Sequence, residues 1–89
     1  MVIRIKTYKI TSNSCPFQVE CETYDGKAVY IRSRHDYFYV AIGNNINEAV
    51  GGKEILNKNY EIYSMKELIK ETKGVLDFGE ATKLNSLNI

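Results

Sequence analysis

The sequence predicts an α+β fold: an antiparallel sheet of four or five strands, with a meander over 17–42 and one main helix at 64–73 packed on one face. Three observations carry this prediction. "FQVECET" alternates apolar and polar residues without a break, and two turn signals divide the apolar residues after it into further strands. "SMKELIKETKG" has the helical period together with a start and a stop signal.

Taken in order, Val2 to Thr11 alternates apolar or β-branched residues with Arg4, Lys6 and Lys9, which is a strand pattern. "TSNSCP" breaks it, and Pro16 restricts the backbone entering the next run. From Phe17 to Thr23, the residues Phe17, Val19 and Cys21 fall on one face and Gln18, Glu20 and Glu22 on the other.

The turn after this strand decides the register of the rest of the meander. A two-residue Asp25-Gly26 turn sets Glu20 opposite Ile31 and Val19 opposite Arg32, mixing apolar and charged residues on both faces. A three-residue Tyr24-Asp25-Gly26 loop, with Gly26 left-handed in a G1 bulge, sets Cys21 opposite Val29, Val19 opposite Ile31 and Phe17 opposite Ser33. The second gathers the apolar residues on one face and is the register predicted. The same logic puts the next turn at His35-Asp36, with Ser33 opposite Phe38, Ile31 opposite Val40 and Val29 opposite Ile42. The core face is then Phe17, Val19, Cys21, Val29, Ile31, Phe38, Val40 and Ile42, and Gly43 ends the meander. A non-glycine pair is not the favoured chemistry of so tight a turn, which leaves a slightly longer loop as the alternative.

"GNNINEAVGG" reads as a short helical turn, capped by Asn44 or Asn45 and stopped by Gly51-Gly52, and "YEIY" at 60–63 as a short strand. In the main helix Ser64 and Glu67 form a capping box, Met65, Leu68, Ile69 and Thr72 make one face, and Gly74 sits at C′. The tail from Val75 carries Leu76, Phe78, Leu84, Leu87 and Ile89 without a firm period. It reads either as a loosely packed strand and turn or as an arm reaching another subunit.

Eighty-nine residues make a single domain, 1–89, with a core thin enough to favour a homo-oligomer. A net charge of +1 excludes both a general nucleic-acid binder and an acidic DNA mimic, so no long nucleic acid is expected as a partner. No apolar run approaches the roughly 20 residues of a membrane span, and "MVIRIKTYKI" has no signal-peptide character, so no membrane partner and a cytoplasmic location are expected. Cys15 and Cys21 have neither C-x-x-C spacing nor a neighbouring histidine, which predicts reduced thiols and neither a zinc site nor a redox motif. A Cys15–Cys21 disulfide remains the alternative outside a cell. The chain is rich in Lys, Asn, Ile and Tyr, residues with A/T-rich codons, which suggests a low-GC bacterium or its phage.

The chemistry concentrates in "YIRSRHDYFYV", residues 30–40, which holds two arginines, the single histidine and three tyrosines. In the predicted register its outward side chains are Tyr30, Arg32, Arg34, Tyr37 and Tyr39, with Arg32 opposite Tyr39 and Arg34 opposite Tyr37. Each guanidinium can then lie on a phenol ring. With His35 at the turn, these six residues are the expected partner- or ligand-binding set, because Tyr and Arg are enriched at binding hot spots. An ordinary solvated sheet face is the plain alternative. Arg4, Lys6 and Lys9 widen the positive patch if the first strand lies beside the meander.

Catalysis has little support. His35 beside Asp36, or Cys15 paired with His35, lacks any second group placed by the sequence, and "VGGK" has neither the spacing nor the Ser/Thr of a P-loop. The expectation is therefore a small non-catalytic protein that needs no cofactor and acts by protein–protein interaction. Its size and composition extend this to a phage or mobile-element inhibitor of a host defence system. The alternative is an oligomeric module that binds or sequesters a nucleotide-like anion through its arginines and tyrosines.

Overall fold

The computed structural model describes residues 2–13 and 15–79. Among them the elements run β1 (Ile3–Asn13), β2 (Phe17–Thr23), β3 (Ala28–Arg34), β4 (Tyr37–Gly43), α1 (Ile46–Val50), β5 (Lys53–Lys58), α2 (Met65–Glu71) and β6 (Leu76–Asp77). They form one six-stranded sheet in the order β5-β4-β3-β2-β1-β6, curled into a half-barrel. The fold is α+β. It has six described strands instead of four or five, and two short helices instead of one.

Both predicted turns form where the face argument placed them. Gly26 takes φ 83° and Thr23 pairs with Lys27 around a three-residue loop, so Cys21 lies opposite Val29 and Val19 opposite Ile31. The loop is tied by Thr23 Oγ1, which accepts from the Lys27 N–H at 2.9 Å and also bonds Asp25. The His35-Asp36 turn keeps its two residues, with φ 59° and 65°, as a type I′ turn requires. Two features outside the turn help hold it. The Asp36 N–H donates to Glu61 Oε2 at 3.2 Å, and the buried Ser33 Oγ accepts from the Ile62 N–H at 2.8 Å.

The meander residues Phe17, Val19, Cys21, Val29, Ile31, Phe38 and Val40 are all buried in one cluster, with Ile42 at its margin. Ile5, Ile62, Leu68, Leu76 and Phe78 close it. Each such side chain, fully buried, contributes roughly 1.5–3 kcal/mol. α2 brings Leu68, Met65 and Ile69 onto this face as its period predicts. Its capping box is present: Ser64 Oγ accepts from the Glu67 N–H at 3.2 Å, and Glu67 Oε1 reaches back to the Tyr63 N–H at 3.1 Å. Thr72 is the C-cap, so Gly74, at φ 92°, stands one residue further out than expected.

Four features depart from the sequence reading or, for the tail, decide between its two alternatives in favour of a packed strand. "YEIY" is not a strand; it crosses the end of the sheet with Ile62 buried, and the strand beside β4 is formed by "KEILNK" instead. That segment lacks alternation because a bulge between its Val40 and Ala41 pairings leaves Ile55 as an extra residue. In β1, bulges at Lys6 and Thr11 shift the phase, so Ile5 is buried while Tyr8 lies opposite Cys21 and Ile10 opposite Val19. The tail also packs: β6 pairs in parallel with β1, and the Phe78 ring meets Tyr8 edge-on at 5.9 Å. Leu84, Leu87 and Ile89 lie outside the described residues.

The fourth departure matters most for function. Besides the main core, the sheet carries a second apolar cluster on its opposite face, where α1 seats Ala49 and Ile46 over Ala28, Tyr30 and Tyr39. Asn45 caps α1 through its side chain, which accepts from the Glu48 N–H at 3.0 Å. The helix lies so close to β4 that a Cβ on Gly43 would sit 2.5 Å from the Ala49 backbone nitrogen. Glycine at 43 is thus a packing requirement as well as a strand end.

Candidate binding face on strands β3 and β4

The β3–β4 register brings Arg32 opposite Tyr39 and Arg34 opposite Tyr37 on the face away from the main core, as predicted. α1 then divides that face into two halves. One half, with Ala28, Tyr30 and Ala41, is covered. The other half, with Arg32, Arg34, Tyr37 and Tyr39, stays open, and His35 stands exposed at its end.

Tyr30 therefore does not belong to an outward-facing set. It is 4 % exposed, and its hydroxyl accepts from Gln18 Nε2 at 2.7 Å. Its part is to support the open half: the Tyr39 ring rests against it at 6.1 Å and 58°. Tyr39 in turn stacks on Tyr37, with centroids 5.7 Å apart and planes 29° apart. The tyrosines thus form a row that starts in the covered half and ends in the open one.

This row changes the expected role of the arginines. The rings stack on each other along β4, and the cation–π contact among the described residues belongs instead to Arg4, 4.9 Å above the Tyr24 ring. Neither Arg32 nor Arg34 has a side-chain hydrogen-bond partner among the described residues. Arg32 is half-buried and Arg34 exposed. Together Arg32, Arg34, His35, Tyr37 and Tyr39 line an open depression of about 290 Å³. It contains five of the six residues singled out in the sequence, and no other.

The surroundings of both phenols move their titration upward. Desolvation, followed by the charge and hydrogen bond of Glu54, moves Tyr37 above the ordinary phenol range. Tyr39 moves the same way, chiefly by desolvation and then through Tyr30, with Arg32 opposing. The Tyr37 hydroxyl donates to Glu54 Oε2 at 3.3 Å, and Asn57 Nδ2 donates to Glu54 Oε1 at 3.4 Å. Glu54 is the participant that sequence reasoning missed. The only available signal was the short apolar pair Ile55-Leu56 between Gly52 and Asn57.

Other sequence candidates fall elsewhere. Arg4, Lys6 and Lys9 do not widen the patch, because β2 lies between β1 and β3 and sets Glu20 opposite Lys9. A larger depression of about 410 Å³ on that side mixes Lys9 and Lys27 with Glu20 and Glu22, so it favours neither sign of charge. Cys15 and Cys21 are both free thiols, the first exposed and the second buried on the core face. Cys15 and His35 make no hydrogen bond to each other. Among the described residues no three His, Cys, Asp or Glu side chains gather as metal ligands, and no helix is long and apolar enough to cross a membrane. No protein-family model, curated protein or solved structure matches the chain.

Proposed function

We propose that this chain is a non-catalytic binding protein that acts by protein–protein interaction through the open half of the β3–β4 face. The observation that carries the reading is two guanidiniums without a side-chain acceptor among the described residues, beside a stacked tyrosine pair. Arginines without a side-chain partner among the described residues suit an acidic partner surface, since charge-assisted hydrogen bonds then form without first breaking others there. Tyrosines held by neighbouring rings lose little side-chain freedom on association. Tyr30 serves as the support beneath them.

The partner is another protein, with self-association as a homo-oligomer on the same or another face, and the setting is the cytoplasm. Blocking a larger assembly is the way a domain of this size acts without chemistry of its own. The A/T-rich residue usage extends the proposal to a phage or mobile-element inhibitor of a host defence system. Holding a nucleotide-like anion is the second use open to the same residues, and the depression they line favours it.

Affinity capture from host cells, comparing the wild-type chain with an Arg32→Ala/Arg34→Ala/Tyr37→Ala/Tyr39→Ala variant, tests the main reading. A protein retained by the first and lost by the second supports it. Identical capture by a variant that remains folded rules the face out.

A further inference from the structure

The depression has a more specific chemistry than a general acidic contact. Three properties coincide in it. Arg32 and Arg34 are two residues apart on β3, so both side chains leave the same face of one strand. Tyr37 and Tyr39 lie opposite them on β4, stacked on each other with their planes 29° apart. The third property is size: at about 290 Å³ the volume falls just below the roughly 300–1,000 Å³ of small-molecule sites, which suits a small ligand.

Resting on the reading of this face as the binding face, we infer that the Arg32–Arg34–Tyr37–Tyr39 depression binds a mononucleotide-sized aryl phosphate. Such a ligand joins a planar aromatic ring to a phosphate dianion. The guanidinium forks take the phosphate oxygens in bidentate geometry, and neither has a hydrogen-bond partner among the described residues to give up. The aromatic ring stacks on Tyr37, the outer ring of the tyrosine row, which holds any base because every base has a π face. Glu54, the acid bonded to this tyrosine row, already accepts from Tyr37 Oη and Asn57 Nδ2.

Size and charge both limit the ligand to a small molecule. Polynucleotide affinity comes largely from many neutralised phosphates, and a chain of net charge +1 with two arginines at the site offers few. An open site covers only one side of a ligand, so the affinity is modest, with Kd on the order of 1 mM or tighter at low salt.

The test is titration of the purified chain with adenosine 5′-monophosphate, adenosine and inorganic phosphate, followed by NMR of the tyrosine ring and arginine Nε–H resonances. The inference expects the monophosphate to move the Tyr37, Tyr39, Arg32 and Arg34 signals saturably. Adenosine and phosphate alone should each bind at least about tenfold more weakly, and Arg32→Ala or Arg34→Ala should weaken the monophosphate by a similar factor. Absence of saturable shifts overturns the inference, as does equal binding of inorganic phosphate, which reports charge attraction alone. If the nucleotide fails while the fourfold variant still loses its protein partner, the protein-binding reading stands without this ligand. If nucleotide binding holds while both proteins capture the same partners, the protein-binding reading fails and the ligand site remains.

Discussion

Asp36 sits at φ 65° without being glycine, and the sheet end around it permits a quantitative test of the turn. An L-residue in the left-handed region costs about 1–2 kcal/mol, with Asp near the lower end because its short side chain tolerates that conformation. Replacing Asp36 by glycine removes this cost and adds about 0.5–1 kcal/mol of backbone entropy lost on folding. The bond from the residue 36 N–H to Glu61 survives, because its donor is main chain. Net stabilisation of up to about 0.5 kcal/mol should therefore result, with Tm rising at about 4–8 °C per kcal/mol for a domain of this size. Asp36→Ala is the control, since it keeps the Cβ in the left-handed region and loses the local tolerance of Asp; it should be less stable than wild type. Urea unfolding monitored by circular dichroism, with the m-value unchanged, gives both numbers. If the glycine variant is no more stable than the alanine variant, the left-handed turn and the registry built on it are wrong.

Four more outcomes rest on named contacts. Ser33→Ala leaves the Ile62 N–H without its buried acceptor and should cost about 1–3 kcal/mol in urea unfolding; no loss would show that this N–H finds another partner. Gly43→Ala drives a Cβ into the Ala49 backbone and should cost about 1–3 kcal/mol, with faster hydrogen exchange in α1, whereas wild-type exchange would show that the helix is not seated there. Burial, with a smaller contribution from Glu20, pushes the Cys21 thiol up from 9.0 to about 12. Below pH 9 the thiol is protonated in both the folded and the unfolded chain, so its contribution is complete. Between pH 9 and about 12 only the unfolded chain releases the proton, and stability should fall by up to about 1.4 kcal/mol per pH unit more steeply than in Cys21→Ala; parallel curves would refute it. Tyr37→Ala and Tyr39→Ala should each weaken partner capture, but Tyr39→Ala should also reduce stability because its ring packs on Tyr30. Equal thermal stability of the two variants would count against the supporting row.

The legible parts of this fold were those in which local chemistry and burial agree. Gly26 is compatible with two loop lengths, and only the three-residue loop places Cys21, Val19 and Phe17 on the face of Val29, Ile31 and Phe38. Ser64 and Glu67 mark a helix start by their own hydrogen bonds. The illegible parts depend on partners distant in the chain. β6 has two residues and exists because Leu76 and Asp77 meet Ile3 and Arg4, which no local pattern encodes. The bulges at Lys6, Thr11 and Ile55 break the period-two signal where β1 and β5 begin to curve. For the site, the opposite pairing of Arg32 with Tyr39 came directly from the register. The burial of Tyr30 did not, because the "INEAV" segment announces a helix without saying which face it will cover.

The position of α1 has a practical meaning for how the protein can change. β3 and β4 carry two kinds of residue on one face: Ala28, Tyr30 and Ala41 hold the helix down, while Arg32, Arg34 and Tyr37 make no contribution to either apolar cluster. The open positions can be exchanged for other polar or aromatic residues at little cost in folding free energy, so a population of such chains is free to track a partner that alters its own surface. Residues under the helix lack that freedom, and a sequence drifting there would lose the platform before it gained a new target.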